Sequence, residues 1–213
     1  MAFRFEKASC VVIGTFNMYI IQPQWLAKQG VIEAKKQLAI ETYLVRPGVR
    51  FHLEEHEASC LVSPERLTID TRNPDTDCGM IVSKILEALP ETPLFGIGNN
   101  AVFAADLAEK GQLKPAVRDF PMCECPKDIE GIEQRAFHIG ARMPEQAVLN
   151  LQLSFLPNKI EMASNTHSQL DRVPDITSVA VKAARHFFSD RQEAMRLARR
   201  FFGVRSDHDN TDH

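Results

Sequence analysis

The stretch Val11-Val-Ile-Gly-Thr-Phe-Asn17 has a counterpart in Leu94-Phe-Gly-Ile-Gly-Asn-Asn100, and this pair decides how the chain is read. Each is a short apolar run carrying a glycine and, three residues on, an asparagine: Gly14 with Asn17, Gly96 with Asn99. Runs of this length and composition suit buried strands. Two more matches follow in the same order. Ser63-Pro-Glu-Arg-Leu-Thr-Ile-Asp70 answers Leu156-Pro-Asn-Lys-Ile-Glu-Met-Ala163, each a proline turn, a basic residue (Arg66, Lys159) and an alternating segment. Asp77 to Lys84 answers Asp175 to Lys182, each an aspartate placed to open a helix. The offsets, 82, 93 and 98, rise as insertions in a second copy require. An internal repeat is therefore expected, with residues 1–92 as one copy and 93–188 as the other.

Each copy reads as strand, short helix, meander, long helix. In the first, Pro23 opens a helix through Lys28 and Gly30 ends it. Strands are expected over 36–46, 49–54, 57–63 and 66–72, and a helix over 77–89 that Pro90 stops. In the second, Asn99-Asn100 leads into an alanine-rich helix ending at Gly111, with the asparagine as its cap. A proline-interrupted insertion, 112–134, precedes strands at 135–142, 147–155 and 158–166 and a helix from Asp175 to Phe188. A last helix opens at Ser189 with Gln192 at capping-box spacing. It begins a basic C-terminal segment, 189–205, followed by an acidic tail, 206–213, expected to be disordered.

This element order resembles the repeat of the TATA-binding protein. The resemblance implies an α+β fold in which two pseudo-symmetric β-α-β-meander-α repeats form one curved antiparallel sheet with helices on one face. Separately, Leu89-Pro-Glu-Thr-Pro93 with Gly98-Asn99 resembles a pattern in a sporadically distributed family of uncharacterised bacterial proteins, a likeness that implies no activity.

The bulk properties set limits. With 213 residues, 44% hydrophobic and 25% charged, the chain has the composition of a globular protein that buries a core without staples. No apolar stretch has bilayer-spanning length and the first residues lack an apolar signal region, so a cytoplasmic protein without membrane association is expected. Five scattered cysteines, an odd number, read as free thiols rather than a disulfide framework.

Four constellations bear on function. His52-Leu-Glu-Glu-His56 matches the H-x-x-E-H string of inverted zinc peptidases and resembles the string in S-ribosylhomocysteinase. That likeness implies zinc on His52 and His56, Glu55 as general base, and Cys123 or Cys125 as a sulfur ligand, in a small hydrolase or lyase. The geometry needs a helix. In a strand, residues four apart lie roughly 13 Å from each other, and Pro47-Gly48 with the flanking alternation points to strand and turn. Cys123-Glu-Cys125 by itself lacks metal-knuckle spacing. Gly96 and Gly98 follow a strand, but the phosphate-loop fingerprint is incomplete, so they are read as structural.

The fourth constellation is the C-terminal helix. Net charge is −3, yet over residues 182–205 Lys182, Arg185, Arg191, Arg196, Arg199, Arg200 and Arg205 stand against only Asp190 and Glu193. Arg196, Arg199 and Arg200 share one face, opposite the stripe Ala194, Leu197, Ala198 and Phe201. With Arg205 they form a docking element for an acidic partner. A non-enzymatic binding or assembly protein of a bacterial complex is thus the leading expectation, engaging a protein partner or a second copy through the sheet face or this helix. The acidic remainder of the chain disfavours nucleic acid.

Overall fold

The structure is a computed structural model and describes residues 2–33, 40–43, 48–106, 135–143, 147–156, 159–170, 173–202 and 205–206. The strands are β1 (Ala2–Gly14), β2 (Ile40–Tyr43), β3 (Gly48–Leu53), β4 (Ala58–Ser63), β5 (Arg66–Thr71), β6 (Leu94–Asp106), β7 (Arg135–Arg142), β8 (Val148–Phe155), β9 (Lys159–Gln169) and β10 (Arg205–Ser206). The helices are α1 (Pro23–Lys28), α2 (Cys78–Glu87), α3 (Ile176–Arg185) and α4 (Phe187–Phe202). One sheet runs β2-β3-β4-β5-β1-β6-β9-β8-β7, with β10 beside the start of β1. Every pairing on the path is antiparallel; β10 alone is parallel. The fold is therefore α+β.

Alternation makes the sheet two-faced. Ala58, Cys60 and Val62 of β4, Leu67 and Ile69 of β5, and Ile160 and Met162 of β9 are buried, while their neighbours reach solvent. Helices cover the buried face: α2 packs on β1 and β5, and α3 and α4 on β6, with α4 reaching β8 and β9. Leu26 of α1 joins the same core cluster as Ile85 and Leu86 of α2 and Ala184 of α3. Burying a Leu, Ile or Val side chain contributes about 1.5–3 kcal/mol, which makes this face the main source of stability.

The two aspartate caps form as expected. Asp77 accepts from the Met80 amide at 2.9 Å and Asp175 from the Ser178 amide at 3.1 Å. Gly30, at φ +68°, lets the chain turn after α1. Helices α2 and α3 meet at Gly79, where a Cβ would stand 1.9 Å from the Ala184 carbonyl oxygen and 2.6 Å from Phe187 Cβ. Only hydrogen allows that approach.

Four expectations are corrected. The alanine-rich stretch continues β6 to Asp106 instead of forming a helix, and residues 107–111 lie outside those described. Its helical propensity, worth tenths of a kcal/mol per residue, loses to backbone pairing on both sides, with β1 and with β9. Asn99 accordingly caps nothing: it is 6% exposed, in mid-strand, donating to the Ala183 carbonyl at 2.9 Å and to Asp190 Oδ2 at 2.7 Å. Asn17 instead makes a local turn, accepting from the Tyr19 amide. Finally, α4 starts at Phe187, so Ser189 sits inside its first turn and donates to the His186 carbonyl.

The paired landmarks divide in the same way. Arg66 and Lys159 each open a strand flanking the central β1–β6 pair, and Asp77 and Asp175 each cap the helix that follows. Gly14 and Gly96 are not equivalent. Even-numbered residues of β1 (Ala8, Cys10, Val12) are buried, whereas in β6 the odd-numbered Ile97, Ala101 and Phe103 are. An offset of 82 therefore exchanges the faces. The structural roles differ too, since a Cβ at Gly14 would meet the Pro93 carbonyl at 2.6 Å and one at Gly96 nothing nearer than 3.6 Å.

Candidate binding face

On the face away from the helices, strand register aligns polar residues into a transverse row. His52 of β3 pairs with Ser59, Ser59 with Asp70, and Asp70 with Ser9 at the sheet centre. Ser9 pairs with Asn100, Asn100 with Asn165, and Asn165 with Asn150. Lys7, two residues before Ser9 on β1, lies on this same face by alternation, opposite Val102.

Hydrogen bonds fix the middle of the row. Asn165 Nδ2 donates to Asn100 Oδ1 at 2.8 Å, and Asn100 Nδ2 donates to Ser9 Oγ at 3.3 Å. Asn165 Oδ1 lies 3.2 Å from His167 Nδ1, which is also 3.4 Å from Asn150 Nδ2. Nδ1 bonds Asn165 as a donor or Asn150 as an acceptor, so the His167 tautomer selects between them. Gly98 makes space for this arrangement: a Cβ there would lie 3.1 Å from Asn165 Nδ2.

Two depressions flank Asn100, which lines both. One, of about 580 Å³, surrounds Asp70 and is lined by Lys7, Arg50, His52, Glu57 and Arg72. Burial pushes the Asp70 carboxyl above the usual carboxylate range, while Arg50, Arg72, His52 and Lys7 oppose the shift. Arg50 stands 3.6 Å from it. The other, of about 440 Å³, has Gly96 and Gly98 in its lining and is bounded by Arg66, His167, Ile13 and Phe95, the last 51% exposed. Lys7, Arg50, Arg66 and Arg72 face only Asp70 and Glu57 across both depressions, so this face is cationic on a chain of net charge −3.

Of the candidate metal and partner-binding residues read from the sequence, one is placed on this face. His52 belongs to this face, in the Asp70 depression. His56 ends a one-turn 3-10 segment, Glu54–His56, and Glu57 closes the β3–β4 connection at φ +46°. The H-x-x-E-H string therefore spans a hairpin, not a helix. Glu55 is engaged there by the Glu33 amide at 2.7 Å and lies 3.6 Å from His56 Nε2. Cys123 and Cys125 lie outside the described residues, among which no cluster of three or more His, Cys, Asp or Glu has metal-binding placement. Among the described residues, no helix is long and apolar enough to cross a membrane.

The C-terminal helix is less free than its composition implies. Arg196 is exposed but forks onto Glu193 of its own helix at 2.6 and 2.7 Å. Arg191 is partly buried between the Phe5 and Phe188 rings, 5.2 and 4.6 Å from their centroids, and Arg185 pairs with Glu87. Arg199 and Arg200 belong to α4 and Arg205 to β10; their side chains are not among those described. Ser9, Asp70, Asn100 and Asn165 were missed by sequence reading. The available signal was a polar residue at every second position of the strand segments, such as Asn165 and His167. The chain matches no known family model and no curated protein.

Proposed function

We propose that this chain is a non-enzymatic binding protein whose open sheet face docks an acidic protein segment. The observation that carries the reading is the hydrogen-bonded polar row centred on Ser9, Asn100 and Asn165, flanked by Lys7, Arg50, Arg72 and Arg66, on a face over which no described helix packs. Extended acidic chain suits it: carboxylates pair with Arg50, Arg66, Arg72 and Lys7, and the amides of Asn100 and Asn165 offer donors and acceptors between them. The row crosses β1 and β6, the strands at which two pseudo-symmetric β-α-β-meander-α units would meet. In this reading a duplicated scaffold places its binding surface on the seam, and assembly into a larger complex follows from occupying it. The like positions of Arg66 with Lys159 and Asp77 with Asp175 support the duplication.

The test is fluorescence anisotropy with two labelled probes of equal charge, a Glu/Asp-rich peptide and a single-stranded oligonucleotide. The peptide binds, its affinity falls with salt, and an Arg50→Glu/Arg66→Glu variant loses it while Arg196→Glu keeps it. Tighter binding of the oligonucleotide would replace the proposal with nucleic-acid binding. Loss on Arg196→Glu alone would move the site to the C-terminal helix.

A further inference from the structure

The depression bounded by Arg66 and Phe95 has features that charge pairing with an acidic chain does not explain. Register sets two rows on the open face beside the Asn100 row: Val11, Gly98 and His167, then Arg66, Ile13, Gly96 and Gln169. Gly96 and Gly98 leave a floor of bare backbone at mid-sheet. Val11 and Ile13 form one wall and His167 and Gln169 the other, two strand spacings or about 10 Å apart. Neither glycine has a positive φ, and a Cβ at Gly96 would meet nothing nearer than 3.6 Å. The fold therefore does not demand glycine at 96. A glycine inside a strand weakens it and often marks the close approach of a ligand or another chain.

A β-bulge turns Phe95 toward this floor. Ile97 is buried on the helix side, so alternation alone would send Phe95 there too. Between Ile13 and Gly14 the pairing slips by one residue: Ile13 faces Gly96, and Gly14 faces Leu94. Leu94 takes the core position at 2% exposed, and Phe95 is left outward at 51%, lining the same depression as Ile13 at 37%. Bulges re-aim side chains in this way. No carboxylate lines the depression, unlike the one around Asp70. The Arg66 guanidinium has no ion-pair or hydrogen-bond partner among the described residues, whereas Arg50, Arg185 and Arg196 each stand by a carboxylate. Asn100 and Asn165 are engaged with each other and His167 with Asn165 or Asn150, while Ser168 and Gln169 add hydrogen-bonding groups on the His167 side.

We infer that the acidic segment docked on this face carries an aromatic side chain that lies on the Gly96–Gly98 floor, with a carboxylate two residues away on Arg66. The inference rests on the function proposed above and specifies its partner. A flat ring covers bare backbone between two walls, and its contact with the Phe95 ring adds to what buried area alone supplies. The apolar body of the ring meets Val11 and Ile13, and a polar ring atom such as a tyrosine hydroxyl meets His167 and Gln169. In an extended chain, residues two apart face the same side, so a carboxylate at that spacing shares the ring's face. Arg66 stands in the Gly96 row, on the far side of Ile13, to receive it.

Three labelled peptides of equal charge test this by fluorescence anisotropy, each rich in Glu and Asp, with one central Tyr, Leu or Ala and an acidic residue two positions away. The Tyr peptide binds at least about tenfold tighter than the Ala peptide and at least about twofold tighter than the Leu peptide. Phe95→Ala, and Gly96→Ala, which raises a methyl from the floor, bring the Tyr peptide to within about twofold of the Ala peptide. In NMR the Tyr peptide shifts the Gly96 and Gly98 amide signals of the wild type further than the Leu peptide does, through its ring current. If the three peptides bind alike, the acidic-segment reading stands and the aromatic anchor is refuted; if none binds, both are refuted. A Leu peptide as tight as the Tyr peptide, or a Tyr preference that survives both substitutions, also overturns the inference. Should a variant not fold, the wild-type signals decide: equal shifts with the Tyr and Leu peptides overturn it.

Discussion

Replacing Gly79 by alanine tests the layer of helices on which the whole arrangement depends. The added methyl would stand 1.9 Å from the Ala184 carbonyl oxygen, where ordinary contact begins near 3.4 Å, so α2 and α3 must part by about 1.5 Å. Neither a rotamer change nor a side-chain shift relieves the clash, because its partner is backbone. A gap of that size removes much of the dispersion contact between Gly79, Ala180 and Ala184 and loosens the seat of Phe187, all of them buried. Overpacking at its upper range costs about 3 kcal/mol, and better helix propensity returns about 1 kcal/mol. The net loss is then about 2 kcal/mol, or roughly 4–8 °C in Tm for a chain of this size. Urea unfolding followed by far-UV circular dichroism measures it. Gly96→Ala is the control: its methyl would meet nothing nearer than 3.6 Å, and stability should hold or rise. If Gly79→Ala stays within about 0.5 kcal/mol of wild type, or Gly96→Ala falls equally far, the helices do not cross at Gly79.

Asp70→Asn removes an internal anion from the cationic depression, so the acidic peptide should bind more tightly; equal or weaker binding in the anisotropy assay would remove Asp70 from the binding surface. Asp190 has its pKa raised by burial, so its ionisation opposes folding: relative to Asp190→Asn, wild type gains stability as pH falls from neutral through the Asp190 titration toward the ordinary carboxylate range, and parallel pH–Tm curves would contradict this. Burial pushes the Cys78 thiol up to about 12 and those of Cys10 and Cys60 up as well, so a Cys123→Ser/Cys125→Ser variant should not react with a thiol reagent until it is unfolded. Elemental analysis should find zinc well below one equivalent; stoichiometric zinc lost in His52→Ala would replace the binding reading with a zinc enzyme.

The elements with local signatures could be read from the sequence. The β3–β5 meander follows from alternation around the Ser63-Pro64-Glu65 turn, and α2 and α3 from aspartates that cap them through amides three residues on. What failed was decided by distant partners. The alanines after Asn100 read as helix because nothing local shows that β1 and β9 claim both edges of that segment. His52 and His56 read as a metal pair because a four-residue spacing is blind to a hairpin, and Glu57 gives no glycine to announce its positive φ. The row from His52 to Asn150 was invisible for a related reason. Ser9 meets Asn100 only through register, and a slip of one residue on either strand would send one of them to the helix side.

That register also explains why polar groups occupy the middle of the sheet, where apolar residues would stabilise it more. The helix face already holds the apolar core, and the opposite face of β1 and β6 is backed by no described layer. Large apolar residues there would form an exposed patch of the kind that drives aggregation. Solvation alone would be met by lysines and glutamates. Instead the row holds short amides and hydroxyls whose hydrogen bonds run one way, Asn165 to Asn100 to Ser9, toward the strand neighbour Asp70. Short side chains keep the surface low, and Gly98 lowers it further beside Asn165. Cations stand at its flanks, Arg50 and Arg72 on one side and Arg66 on the other. In the proposed reading, this low polar floor takes the backbone of an extended acidic chain while its carboxylates reach Arg50 and Arg72 in one flanking depression and Arg66 in the other.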